Sequence, residues 1–284
     1  MNELLTFNRL KRHPAAIIGT IGSMIVVLIA LIGPYVAPYD VAQAGMVLRV
    51  QKRLIAPSSS HLMGTDHLGT DVFSLILHGA SSSIKIGLGA AFLCTILGAS
   101  IGLLAGFFGG AIDMALMRTI DVFLAFPSLV LAILIAASLG PGTMSITLAL
   151  VLTGWPALAR VIRGAVLGLK KEEYILASRA IGCSKLRIIT HHLLPNCLPL
   201  IVVLFSMRVG VMILGEASLS FLGLGTPAGS ASWGVMVDTG RSYIGLAPWC
   251  SIAPATAIAV TVLTFNFLGD GLRDLLDPRL RGRL

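Results

Sequence analysis

The chain has 284 residues, of which 56% are hydrophobic and only 12% charged, and its mean hydropathy is +0.90. A soluble domain carries about twice that share of charge, so the composition excludes a soluble enzyme and points to a multi-pass membrane protein. The net charge of +8 would suit a nucleic-acid partner. However, the positive residues gather at Arg9, Lys11 and Arg12, in a central loop at Lys170, Lys171, Arg179, Lys185 and Arg187, and at Arg273, Arg279, Arg281 and Arg283. That distribution is the signature of positive-inside orientation, not of nucleic-acid binding.

In chain order, residues 1–14 read as a basic, partly amphipathic leader on the cytoplasmic face. The apolar run Ala15–Val36 is long enough to span a bilayer and does not end in a small-residue cleavage site, so it is a retained first span. A polar segment over 37–82 should lie on the far side, with a turn-rich HLMGTDHLGTD from His61 to Asp71 and a helical stretch to His78. The second span, Ile84–Phe108, carries Gly98, Gly102, Gly106 and Gly110 at four-residue intervals, a smooth strip that lets another helix approach closely. Its GASIG segment, Gly98 to Gly102, fits the G-x-S-x-G hydrolase pattern but sits inside a membrane helix, so no nucleophile follows from it. A short loop with Asp113 and Arg118 leads to a third span that ends near Leu139 with a kink at Pro127, and Pro141-Gly142 makes a turn. The fourth span runs to Ala159, with Arg160 and Arg163 marking its cytoplasmic end.

Next comes the longest polar interruption in the second half, KKEEYILASRAIGCSKLRIITHHLLP from Lys170 to Pro195. Glu172 and Glu173 place negative charge where a helix start favours it, and Tyr174, Ala177 and Ile181 recur at helical spacing as an apolar edge. Gly182 can end that helix, Ser184 can cap a second one from Lys185 to Leu194, and Pro195 should stop it. A helix–Gly–helix elbow projecting from a membrane domain is a shape for docking into another protein, the plainer alternative being an ordinary amphipathic loop. A fifth span over Leu198–Phe221, an outer loop from Gly223 to Pro248 and a sixth span to Leu268 complete the chain. The fold class is thus an all-α membrane protein of about six transmembrane helices with both ends cytoplasmic. Its organisation is residues 1–82 as leader, first span and outer segment, and 83–284 as the membrane core with the loop 170–195.

The elbow resembles the cytoplasmic coupling loop of ABC importer permeases, a Glu-Ala-Ala triplet followed by a glycine and an I-x-L-P ending. Ala177, Gly182, Leu194 and Pro195 agree with that pattern, whereas Leu176, Ser178 and His192 stand where Glu, Ala and Ile are usual. GTDHLGTD from Gly64 to Asp71, EASLSFLGLG from Glu216 to Gly225 with SWG from Ser232 to Gly234, and FNFLGDGLRDLLDPR from Phe265 to Arg279 resemble signatures of one subfamily. It is the smaller permease of dipeptide, oligopeptide and nickel ABC importers, with Thr70 in place of the usual arginine. The resemblance implies the type I permease fold and transport of di- or oligopeptides, with nickel or a metal chelate as the alternative cargo. It also implies a heterodimer with a homologous second permease, two P-loop ATPase subunits that hold ATP and Mg, an extracytoplasmic solute-binding protein and surrounding lipid.

The chain itself has no G-x-x-x-x-G-K-[ST] and no H-E-x-x-H, so neither a catalytic residue nor a cofactor is assigned to it. Its four scattered cysteines form no C-x-x-C and predict neither a disulfide framework nor a zinc site. The expected coupling residues are Tyr174, Ala177, Ser178, Gly182, Leu194 and Pro195. Arg208 and Glu216, charged residues in an apolar span, are candidates for the translocation path or its gate, with structural pairing as the alternative. His61, Asp66, His67, Asp71 and His78 could ligate a metal, but a loop that shapes contact with a partner fits the motif better. A homo-oligomeric channel or carrier is the reading from a different class, and a docking elbow speaks against it.

Overall fold

A computed structural model of the chain describes residues 14–39, 41, 52–225 and 231–276. The basic leader up to residue 13 and the last residues of the C-terminal signature lie outside the described residues. In hydrocarbon every backbone N–H and C=O must be satisfied within the protein, which leaves helices as the way for such apolar runs to cross. The helices are α1 (Pro14–Val36), α2 (Val72–Phe108), α3 (Gly110–Leu124), α4 (Ser128–Leu139), α5 (Thr143–Leu169), α6 (Glu173–Ala180), α7 (Lys185–Ile188), α8 (Leu194–Leu219), α9 (Trp233–Arg241) and α10 (Trp249–Leu276). Five stretches among the described residues are long and apolar enough to cross a membrane: α1, α2, α5, the α7–α8 run to Leu224, and α10. α3 and α4, bent by 87° where they meet, make a sixth when taken as one broken span. α1 presents Ile18, Ile21, Met24, Leu28 and Leu31 outward, the apolar exterior that lipid requires.

The boundaries differ from the sequence expectation where capping and proline chemistry intervene. The span expected over Ile84–Phe108 is the later part of α2, which starts twelve residues earlier because the Asp71 carboxylate caps it there by accepting from the Ser74 N–H. Asp113 and Arg118 stand on α3 rather than in a loop. Arg160 and Arg163 do not end α5, which continues to Leu169, because each meets a carboxylate on α3: Asp121 for Arg160 and Asp113 for Arg163. The outer loop contains α9, capped by Ser232, whose Oγ accepts from the Val235 N–H.

α2 packs most heavily on α5, and the glycine strip explains how. A Cβ on Gly102 would stand 2.5 Å from the Ala159 carbonyl oxygen, and one on Gly98 2.8 Å from the Leu158 side chain. Gly106 meets Val166 in the same way, whereas Gly110 lies past the end of α2 with open space around it. Gly102→Val is therefore expected to force the two helices apart at a cost of about 1–3 kcal/mol or more. A fall in the thermal denaturation midpoint of the detergent-purified assembly checks this. α10 uses the same device twice, with Gly269 against Met207 of α8 and Gly271 against Ala16 of α1.

Two apolar clusters result. The larger runs through the membrane domain and includes Ala90, Cys94, Ile146, Trp155, Ile213 and Phe265. The smaller gathers Leu103 and Phe107 of α2, Ile162 and Val166 of α5, Ile175 of α6, Ile188 of α7, and Leu193 and Cys197 beyond it. The smaller cluster is what fixes the elbow to the spans.

Candidate functional site

The elbow begins where α5 ends. Glu172, in extended conformation, takes the N-cap position of α6, its backbone carbonyl accepting from the Ile175 and Leu176 N–H groups. α6 ends at Gly182, whose φ of +77° is left-handed and suits glycine. There the Gly182 N–H donates to the Arg179 carbonyl and the Cys183 N–H to that of Ser178, which closes the helix end. Ser184 then caps α7, its Oγ accepting from the Arg187 N–H. Both expected devices, the glycine stop and the serine cap, are present.

Pro195 does not stop the second arm. From Ile189 to Leu193 the backbone widens into a π turn, with the Leu194 N–H donating to the Ile189 carbonyl, and α8 continues through Pro195. A proline lacks the N–H that an α-turn would need, and the wider turn re-registers the ladder around that gap. The Asn196 side-chain amide donates to the His192 carbonyl at 2.6 Å and satisfies an acceptor at the same place. The second arm and the following span are consequently one helical path.

α6 has two apolar faces, and the sequence pattern showed only one of them. Ile175 is fully buried in the smaller cluster, and Ser178 is buried beside it, its Oγ donating to the Tyr174 carbonyl at 2.7 Å. The His192 ring stands 3.4 Å from that hydroxyl, which ties the first arm to the second. Ala177 and Ile181 point outward: Ile181 is 80% exposed, and Leu176 and Leu186 are exposed nearby, while Tyr174 stands at the edge, part exposed with its ring 6.3 Å from that of His192. Leu194 and Pro195 are also exposed. The expected coupling residues thus divide into an outward apolar face and an inward seat, and Ile175, Ile188 and Leu193 of the seat had gone unremarked. The signal for them was their own apolar character opposite the stripe.

Cations complete the seat. Lys170 Nζ donates to the carbonyls of Gly106 and Phe107, at 3.0 and 2.9 Å, and so satisfies acceptors left open at the end of α2. Burial, and then repulsion from Arg179, push the Lys170 ammonium below the usual lysine pKa. Arg179 lies over the Phe107 ring and Lys185 over Phe108, at 5.5 and 5.7 Å from the ring centres. The elbow is held from both arms against one helix end.

At the other end of α8, Glu216 is fully buried, and Ser220 Oγ donates to its Oε1 at 2.8 Å. Ser83 and Ser232 also face this carboxylate, while its Oε2 accepts no hydrogen bond among the described residues. Ser83 Oγ in turn accepts from the Trp233 N–H, and the Trp233 indole donates to the Ile76 carbonyl. Gly234 lets α9 lie against Ala217 and Ser220, where a Cβ would stand 2.6 Å from the serine side chain. The two sequence signatures around Glu216 and Trp233 therefore form one buried joint between α2, α8 and α9.

Arg208 does not join this cluster. It stands half-buried on α8 and lines a separate small cavity with Ser128, Thr153 and Gly215.

The outer-loop histidines and aspartates hold the loop itself. Asp71 accepts from His61 Nδ1 at 3.0 Å as well as from Ser74, and Asp66 Oδ1 accepts from the Leu68 and Thr70 N–H groups. His67 stacks on Tyr243, and His78 Nδ1 lies 3.0 Å from the Ser74 carbonyl. Trp249 donates to the Thr65 carbonyl and fixes the loop to α10. Among the described residues no three His, Cys, Asp or Glu side chains come together as a metal set. All four cysteines are free thiols.

Comparison with known proteins agrees with this architecture. Residues 98–282 match the family described as binding-protein-dependent transport system inner membrane component, and residues 5–57 match the N-terminal transmembrane domain of oligopeptide transport permease C. The chain is 40% identical to the dipeptide transport system permease protein of Alkalihalophilus pseudofirmus, covering 97% of this chain and 89% of that one. It is also 40% identical to the glutathione transport system permease protein of Pectobacterium atrosepticum (97% and 90% covered) and to the oligopeptide transport system permease protein of Bacillus subtilis (96% and 88%). A solved chain of the MetNI methionine ABC transporter, in an inward-facing conformation, shares the fold with a TM-score of 0.58 at 20% identity, over 71% of this chain and 96% of that one. With a helical membrane core, a helix–Gly–helix elbow and matches of this extent, the chain belongs to the binding-protein-dependent transport system inner membrane component family, as a permease of the dipeptide and oligopeptide ABC importer group.

Proposed function

We propose that this chain is one of two permease subunits of an ATP-driven importer that moves di- or oligopeptides across the bacterial cytoplasmic membrane by alternating access. The observation that carries this reading is the elbow: its inner face is seated in a buried cluster, and its outer face leaves Tyr174, Ala177 and Ile181 exposed. A surface so arranged is built to receive force and pass it on. Two P-loop ATPases with ATP and Mg would supply the force, a second homologous permease would complete the path, and an extracytoplasmic binding protein would deliver the peptide. Both termini then lie in the cytoplasm, on the side of the elbow. Rigid-body motion of helices about a central path is the corresponding mode of switching. Peptide is favoured over nickel because relatives are named for dipeptide, oligopeptide and glutathione transport, and because the outer-loop histidines and aspartates are engaged in holding their loop.

Gentle affinity purification from native membranes, followed by mass spectrometry, tests the proposal. A second permease and P-loop ATPases should accompany the chain. The assembly should hydrolyse ATP faster when its binding protein carries peptide than when it is offered nickel. Recovery of a stable homo-oligomer alone would overturn the proposal in favour of a channel or carrier.

A further inference from the structure

A charge inside a bilayer is costly and normally faces a counter-charge or a polar cavity. Arg160, Arg163 and Arg241 each meet an aspartate. Arg208 meets no carboxylate among the described residues, although it lies on a membrane-spanning helix about 20 Å along from Leu194. It lines a cavity of about 120 Å³ with Ser128, Thr153, Gly154 and Gly215. That is room for a few waters or one carboxylate group but not for a whole peptide. No acidic residue lines the cavity. Leu129, Leu150, Val211 and Met212 make most of its wall apolar, and the Thr153 hydroxyl donates to the Ala149 carbonyl of its own helix. Its polar groups free to bind are thus the Arg208 guanidinium and Ser128, which opens α4 directly after the 87° break, where no side chain caps the helix. The first-turn N–H groups of a helix have no acceptors within it, so they add to the positive character of this wall. A cation with no carboxylate beside it among the described residues, in a largely apolar cavity, calls for an anion.

We propose that Arg208, with Ser128, is a docking point for a carboxylate of the peptide in transit, whether its C-terminus or an acidic side chain. The inference rests on the peptide-importer reading. Such a point would orient the peptide within the path and would favour anionic over neutral cargo of the same size.

The test uses the complete assembly with its partner subunits in proteoliposomes, supplied with its own binding protein. Initial uptake is measured for a tripeptide against its C-terminal amide, and for a Glu-containing tripeptide against its Gln counterpart. Selection by the binding protein is the same in every permease variant, so the change in each ratio between variants reports on the permease. Arg208→Gln is expected to shrink the preference for at least one carboxylate form by about tenfold, the scale of one charge-assisted hydrogen bond, and Arg208→Lys to keep most of it. Collapse of the first ratio assigns the site to the C-terminus, and collapse of the second to the side chain. Peptide uptake with both ratios unchanged in Arg208→Gln would overturn the docking point and leave the importer reading standing. Failure of Arg208→Gln to assemble would also overturn it, by showing that the charge is matched by a carboxylate of another subunit. Absence of peptide uptake by the wild-type assembly would overturn the importer reading itself, and the docking point with it.

Discussion

Gly182→Pro is expected to abolish peptide uptake while leaving the protein inserted and folded in the membrane. Proline fixes φ near −65°, whereas the elbow turns at +77°, and proline also removes the N–H that closes the end of α6 on the Arg179 carbonyl. The local cost is about 3 kcal/mol or more, enough to swing the first arm away from the second. Around Gly182 there is open space, so the damage stays in the turn rather than spreading into the core. Uptake by proteoliposomes and protease protection of the inserted chain, measured side by side, check the two halves of the expectation. Gly182→Ala should fall between wild type and proline, because it strains the same backbone angle but keeps the N–H. Full uptake by the proline variant would show that the elbow transmits nothing.

Ile175 and Ile181 stand on the same short helix and should fail in opposite ways. Ile175 is fully buried in the cluster that also holds Phe107, Ile162 and Ile188, so Ile175→Ala is expected to cost about 2–5 kcal/mol by leaving a cavity under α6. Hydrogen exchange of the α6 amides should rise by at least about tenfold, and ATP hydrolysis should run without proportionate uptake because the seat no longer follows the arm. Ile181 is 80% exposed, so Ile181→Glu should leave exchange and thermal stability unchanged. It should instead cut recovery of the ATPase subunits in co-purification, since a charge replaces an apolar contact on the face left open. Equal effects of the two substitutions on both readouts would refute the division of the elbow into a seat and a docking face.

Much of the elbow was legible because its determinants are local. A glycine at a left-handed position and a serine before a short helix act within a few residues, and both were readable at Gly182 and Ser184. Pro195 misled because its effect depends on what the neighbouring turn can absorb: a π turn over Ile189–Leu193 lets the helix pass where an α turn would break. Arg160 and Arg163 looked like the end of a span because their aspartates lie 39 and 50 residues away in sequence. The surroundings of Glu216 were hidden for the same reason, since Ser83 reaches Trp233 across 150 residues. Glycine spacing, by contrast, foretold the α2–α5 contact at Gly98, Gly102 and Gly106, because smoothness is a property of one helix whatever its partner.

The unbroken path through Pro195 has a geometric consequence. From Lys185 to Leu222, just before the kink at Gly223, the chain follows one helical path of 38 residues, a rod about 57 Å long. Its lower end carries the second arm of the elbow, its middle carries Arg208, and its upper quarter carries Glu216. A rod tilted about its midpoint moves its two ends in opposite directions by equal distances, so a swing of about 10° displaces each by about 5 Å at this length. A push on the elbow arm in one sense would thus arrive at the buried joint of Ser83, Glu216 and Trp233 in the other. Near the fulcrum, the walls around Arg208 would hardly travel at all. A carboxylate held there would see the opening change from one side of the membrane to the other while staying almost still.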